Sequence, residues 1–225
     1  RRATVLIGAY LGETLRREYP NTSFTYEPGR EQSNILLVSQ GRVQLGIAHA
    51  QLAGRALSGG EPFKQPVTNI RAIAVIDPLA AMQVFARQGS DFQSFEQVRR
   101  DKKPIRVALN QRGTMMALAG EELLAAKGIP AKDVEAWGGK VHYVAYNEGL
   151  EMMKNKQVDL IVNLLAFPSG QVASATREMP VQMVGLTPEV QGALQKSLGM
   201  MPIEVPAKTY DFQPAAVPSA TATVV

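Results

Sequence analysis

From residue 105 to residue 163 the sequence alternates between two apolar spacings, and this alternation constrains the fold more than any other feature. Residues 105–109 are a β-branched, buried strand. Asn110-Gln111-Arg112-Gly113-Thr114 is a turn, and residues 115–127 have strong helical spacing ended by Gly128 and Pro130. A strand at 142–145, a helix at 148–155 and a strand at 158–163 follow. The first part of the chain has the same grammar. A helix over 4–18 stops at Pro20, and a short strand at 23–27 ends at Pro28-Gly29. A helix through Ile35, Leu36 and Val38 then leads to Gly41, at a left-handed cap position. A buried strand is expected at 43–48, a Gly/Ser-rich connection at 54–64, and strands at 70–76 and 82–87 separated by an Asp77-Pro78 turn. The tail from Pro202 is proline-rich with two short strand-like pieces. Such alternation predicts an α/β fold with mostly parallel sheets and helices on both faces.

Part of the pattern occurs twice. SNILLVSQGRVQLGIAHA is echoed by EGLEMMKNKQVDLIVNLL, with Val43-Gln44-Leu45 matching Val158-Asp159-Leu160. The repetition suggests two similarly built α/β lobes, and 225 residues are enough for two lobes of roughly 100 each.

Composition removes several functions. There is no cysteine, so disulfides and thiolate metal sites are excluded, and two histidines without an HExxH spacing make a zinc site a poor reading. Basic residues are scattered, and their densest run, Arg99-Arg100-Asp101-Lys102-Lys103, is broken by an acid. With aromatics at only 6%, neither a basic stripe nor a base-stacking platform is in place, so no nucleic-acid partner is expected. GxSxG, GxGxxG and P-loop signals are missing, which argues against an enzyme of those classes, and no cofactor is expected. No apolar run reaches the roughly 18 residues of a membrane span. The chain opens at Arg1 inside helix-like sequence with no signal peptide, so an upstream segment is expected.

In open α/β sheets, ligands sit beyond the carboxyl ends of the strands. The strand ends expected there are Gly29, His49 with Gln51, Asp77, Asn110 to Thr114, Tyr146 with Asn147, and Asn163 leading to Phe167, all with hydrogen-bond capacity. A helix start after a strand offers free N–H groups and partial positive charge to a carboxylate or phosphate. Arg112 can grip a carboxylate through two parallel hydrogen bonds. Gly113 permits close backbone approach, and Thr114 can cap while donating. Two readings of this loop stand: an anion site, or an ordinary polar loop with an exposed arginine. His49 divides likewise between a ligand donor and a histidine satisfied by a backbone carbonyl. His142, inside a strand, reads as structural. The candidate ligand-binding set is His49, Gln51, Asn110, Arg112, Gly113, Thr114, Asn163 and Phe167, with no catalytic or metal residue.

The order and wording of these pieces resemble the TAXI family, the solute receptors of TRAP transporters, over nearly the whole chain. The resemblance lies in Tyr26-Glu27-Pro28-Gly29-Arg30-Glu31-Gln32-Ser33-Asn34, Gly41-Arg42-Val43-Gln44-Leu45-Gly46-Ile47, Pro62-Phe63-Lys64 and Val67-Thr68-Asn69-Ile70-Arg71-Ala72-Ile73-Ala74. It resumes at Ile105-Arg106-Val107-Ala108, Arg112-Gly113-Thr114, Lys156-Gln157-Val158-Asp159 and Pro206-Ala207-Lys208-Thr209-Tyr210. It implies a type II periplasmic binding fold, two α/β lobes with a ligand cleft between them. It also implies a secreted, periplasmic and monomeric receptor without enzymatic activity. Its ligand would be a small anion, an amino acid such as glutamate or an organic acid, delivered to a TRAP-type membrane permease. The lobes would be residues 1–86 with 185–225, and 87–184. A sensing domain of the same fold in a signalling receptor is the alternative.

Several positions depart from the family. Its first strand and glycine-rich turn should precede Arg1, and the start of its first helix is replaced by Ala3-Thr4-Val5-Leu6. A Gln-Ser-Asp-like strand end falls on His49-Ala50-Gln51, and a small-residue pair on Leu165-Ala166. The particular ligand therefore does not carry over.

Overall fold

The computed structural model describes residues 2–225, with side chains described from Ile7 onward. The departure at Ala3–Leu6 therefore lies outside the described side chains. In chain order the elements are α1 (Arg2–Glu18), α2 (Glu31–Ser39), α3 (Ala50–Ser58), β1 (Asp77–Arg87), α4 (Phe95–Asp101), β2 (Arg106–Leu109), α5 (Met115–Ala126) and α6 (Ala131–Ala136). Then follow β3 (Lys140–Tyr143), α7 (Tyr146–Lys154), β4 (Leu160–Leu165), α8 (Gly170–Thr176), β5 (Val181–Met183), α9 (Pro188–Leu198), β6 (Met201–Val205) and β7 (Val217–Val224).

Seven strands form one sheet in the order β3-β2-β4-β1-β7-β6, with β5 also paired to β1. The parallel pairs are β2 with β3 and with β4. β1 runs antiparallel to β4, β5 and β7, and β6 antiparallel to β7. The expected mostly parallel sheet is thus corrected to a mixed one, because the long β1 enters against the direction of the helix-linked strands. β1 divides its partners by position. Asp77 to Ala81 pairs with β7, whereas Ala81 to Ala86 pairs with β4 and Phe85 to Arg87 with β5.

Apolar burial on both faces explains why β1 and β4 read as near-continuous hydrophobic runs. Met82, Val84 and Ala86 join Leu160, Val162 and Leu164 in one core, with α3, α5 and α9 residues Leu52, Leu123 and Leu194. Phe85 and Ile161 belong to the opposite face with Leu150, Met153, Val172 and Tyr210. Period-two alternation along a strand produces this division. Helix starts are set by side-chain caps: Ser94, Thr114 and Ser169 accept from Gln97, Ala117 and Val172 backbone N–H groups. Gly41 takes the left-handed φ of 68° that its position demanded.

Three expected strands do not form. Residues 23–27, 43–48 and 70–76 carry no ladder, and residues 42, 44–46 and 71–76 are exposed. A strand requires a hydrogen-bonded neighbour, and the second and third of these segments reach one only at their tips. Ala48 and Val225 exchange two backbone hydrogen bonds at 3.0 and 2.8 Å, and Ile76 donates to the Val224 carbonyl. Only the second copy of the repeat, α7–β4, therefore completes its strand. The expected connection over 54–64 is also corrected, since Gly54 lies within α3. Asp77-Pro78 starts β1 and is no turn.

Candidate functional site

The N-terminal turns of α3 and α5 come together around the first turn of α2. His49 precedes α3 as its cap residue and is 5% exposed. Its Nδ1 lies 2.9 Å from Glu31 Oε2, and its backbone N–H donates to the same oxygen at 3.4 Å. The first helical N–H of α5, that of Met115, donates to Glu31 Oε2 at 3.2 Å. Next to it, Gln32 donates its backbone N–H to the Gly113 carbonyl at 3.0 Å, and its side-chain amide to the Pro62 carbonyl at 3.1 Å. A carboxylate thus occupies the position where helix N–H groups and positive dipole ends converge.

The loop before α5 is preorganised. Asn110 Oδ1 accepts from the Gln111 N–H at 2.7 Å, and Thr114 donates to the Gln111 carbonyl at 2.7 Å while capping Ala117. Gly113 has φ 81°, and a Cβ there would stand 3.1 Å from Gln32 Oε1. Backbone conformation and close approach both favour glycine. Arg112 is placed differently from a free cleft arginine. Its guanidinium lies 3.5 Å from the Tyr143 ring centroid and 3.3 Å from Glu121 Oε1, with its side chain 68% exposed. Burial raises the Tyr143 phenol above its usual range, and its bond to Glu121 adds to the shift.

The remaining candidates lie apart from this seat. Gln51 accepts from the Thr223 N–H at 3.2 Å and so ties α3 to β7. It also borders an open depression of about 420 Å³ with Arg55, Leu198 and Gly199. Asn163 is paired across strands with Gln83 and is 2% exposed. Its Nδ2 and the Tyr146 hydroxyl are buried without a hydrogen-bond partner among the described residues. Gln83 is fixed by Tyr210, whose hydroxyl donates at 2.7 Å and itself accepts from the Ser169 N–H at 3.0 Å. Burial pushes the Tyr146 phenol up, with Tyr210 contributing. Phe167 is half-buried in the loop between β4 and α8.

The structure therefore brings His49, Gly113 and Thr114 together and keeps Asn163 in a second polar cluster. Glu31, Gln32, Gln83 and Tyr210 were not foreseen as site residues. Glu31 lies within Tyr26–Asn34, but nothing local in the sequence signals its contact with a residue 84 positions away. Among the described residues no group of three or more His, Cys, Asp or Glu could hold a metal ion, and no helix is long and apolar enough to cross a membrane.

A family model described as the NMT1-like family matches residues 6–224, almost the whole chain. The chain belongs to the NMT1-like family. No curated protein sequence matches it. Among solved structures, this NMT1-like chain is similar to the alkanesulfonate-binding protein SsuA from Xanthomonas axonopodis pv. citri, at 16% identity and a TM-score of 0.52. That alignment covers 79% of this chain and 55% of SsuA, so the chain spans little more than half of that protein. It is also similar to a binding protein component of an ABC phosphonate transporter from Pseudomonas aeruginosa, at 12% identity and a TM-score of 0.52. Here 98% of this chain and 78% of the other are covered. The NMT1-like chain thus has the mixed α/β fold of periplasmic solute-binding proteins.

Proposed function

We propose that the chain is a periplasmic, monomeric, non-enzymatic solute receptor of the TAXI kind. It captures a small anion, an amino acid such as glutamate or an organic acid, for a TRAP-type permease. The observation that carries this reading is the meeting of two helix N-termini, α3 and α5, around one carboxylate oxygen. Residues 1–86 with 185–225 form one lobe and 87–184 the other. β1 passes at Ala81 from β7 of the first lobe to β4 and β5 of the second, which supports two lobes whose junction lies inside β1. The solute lies between the lobes against His49, Asn110, Arg112, Gly113 and Thr114, with Gln51, Asn163 and Phe167 farther from the seat.

A thermal-shift panel of carboxylates, sulfonates and phosphonates tests the reading. At a hundredfold excess over Kd a true ligand adds about 2.7 kcal/mol, which is roughly 5–10 °C for a chain of this size. A flat response across the panel rejects it.

Arg112→Ala is expected to weaken the ligand about tenfold, the equivalent of one lost charged hydrogen bond. Arg112→Lys recovers only part, since an ammonium cannot reproduce the two-pronged grip. Titration calorimetry with one ligand compares the three proteins. Equal affinities assign Arg112 to its Tyr143 and Glu121 contacts alone.

A further inference from the structure

We propose that Glu31 is a built-in occupant of the anion seat, so that a solute anion enters only by displacing it. Three elements distant in sequence supply the geometry. Glu31 begins α2, and its Oε2 receives the His49 N–H, the His49 ring and the Met115 N–H. The adjacent bond from the Gln32 N–H to the Gly113 carbonyl ties the same helix start to the loop before α5. The seat is therefore filled by the protein's own carboxylate. A side chain only 17% exposed gives that carboxylate little compensation from water, so it is held by these donors.

A second observation concerns the side of the same histidine ring that faces away from Glu31. The other ring nitrogen of His49, Nε2, is also buried and has no partner among the described residues. A histidine with one nitrogen on Glu31 and the other unspent can take a further polar atom of a ligand. Once Glu31 is displaced, Nδ1 can thus serve the incoming anion and Nε2 a further polar atom of the same ligand.

The energetic consequence is a competition. The apparent affinity for an external anion is reduced by the fraction of time the seat is open. Removing the internal carboxylate removes that reduction, and it leaves the Met115 and His49 N–H groups without their acceptor. Acetate, the smallest carboxylate that reproduces the head group of Glu31, is then the natural probe.

This proposal rests on the reading of the cleft as an anion site, and acetate reports on the seat alone. The experiment follows the Met115 backbone amide resonance in the 225-residue parent chain, in Glu31→Ala and in Glu31→Gln, titrated with sodium acetate against sodium chloride at equal ionic strength. In Glu31→Ala the resonance is expected to move saturably with acetate and not with chloride, at an acetate concentration at least about tenfold below any change in the parent. Glu31→Gln keeps the volume and a neutral acceptor, so it should respond at concentrations between the two. An equal response in parent and variants, or none in either variant, overturns the proposal. So does loss of folding in both variants, which makes Glu31 a strut of the fold. A solute-induced thermal shift in the parent with no acetate response in the variants removes the Glu31 plug and leaves the receptor. A flat solute panel with a positive acetate response does the reverse.

Discussion

Replacing Phe85 with alanine is expected to lower stability by about 3–5 kcal/mol, the range for a fully buried phenylalanine. At roughly 2–4 °C per kcal/mol, the melting temperature should fall by on the order of 10 °C or more. Phe85 is 2% exposed at the centre of the sheet, paired with Ile161 of β4 and Met183 of β5. Its ring packs edge-on against Tyr210 and Phe212, with centroids 6.3 and 6.1 Å away. Removing it opens a cavity beneath two stacked aromatic rings, and the paired strands on either side resist collapse into it. The effect reaches beyond the cavity, because Tyr210 also orients Gln83 beside Asn163. Phe85→Leu retains most of the volume and should lose less than about 1.5 kcal/mol. Urea denaturation of the three proteins measures both differences. A loss below about 1 kcal/mol for the alanine variant would show that the aromatic cluster repacks freely.

Asp159→Asn is expected to destabilise the chain by about 2–4 kcal/mol at neutral pH, near the lower end of the range for breaking a buried ion pair. The residue stands one position before β4 and is 6% exposed. Arg106 grips its carboxylate through Nε at 3.1 Å and Nη2 at 2.8 Å, the Arg106 backbone N–H adds a bond at 3.0 Å, and Arg87 completes the set at 3.2 Å. Arg106 is half-exposed, so its guanidinium regains water when the carboxylate is lost, which places the effect below the maximum. Burial alone would push the carboxyl pKa up, but the Arg106 and Arg87 hydrogen bonds outweigh it and hold the group below the usual range. A carboxylate depressed in this way stabilises the fold fully above its unfolded pKa of about 3.9, and the contribution disappears as pH falls through the lower native value. The gap between parent and Asp159→Asn should therefore be constant from about pH 5 to 8 and shrink below about pH 4. Denaturation midpoints across that interval test it. A gap that widens on acidification would contradict a depressed native pKa.

The elements with strong local signals were legible without the fold. β2, α5, α7 and β4 lie within a few residues of their expected spans, and so does the second part of β1. Gly113 has the positive φ suited to its turn, and Thr114 is the cap its position suggested. α4, α6, α8, α9 and β5 were not read from the sequence, being short or weakly periodic. Among candidate site residues, His49 bonds to Glu31 and Gly113 to Gln32 at the start of α2, whereas Arg112 turns onto Tyr143 and Gln51 is bonded to β7.

The sequence by itself determined the α/β class, the buried runs that became β1, β2 and β4, and the cap that starts α5. Each of these depends on residues close together in the chain, where period, β-branching or a single hydroxyl carries the information. Only the tertiary structure decided that residues 43–48 remain without a ladder although they are as strand-like as residues 158–163. It alone brought Glu31 to the Met115 N–H and set Asn163 opposite Gln83. An apolar period states which face of a segment must be buried, but not which distant segment covers it. Hydrogen-bond partners far apart in the chain are chosen when the faces meet.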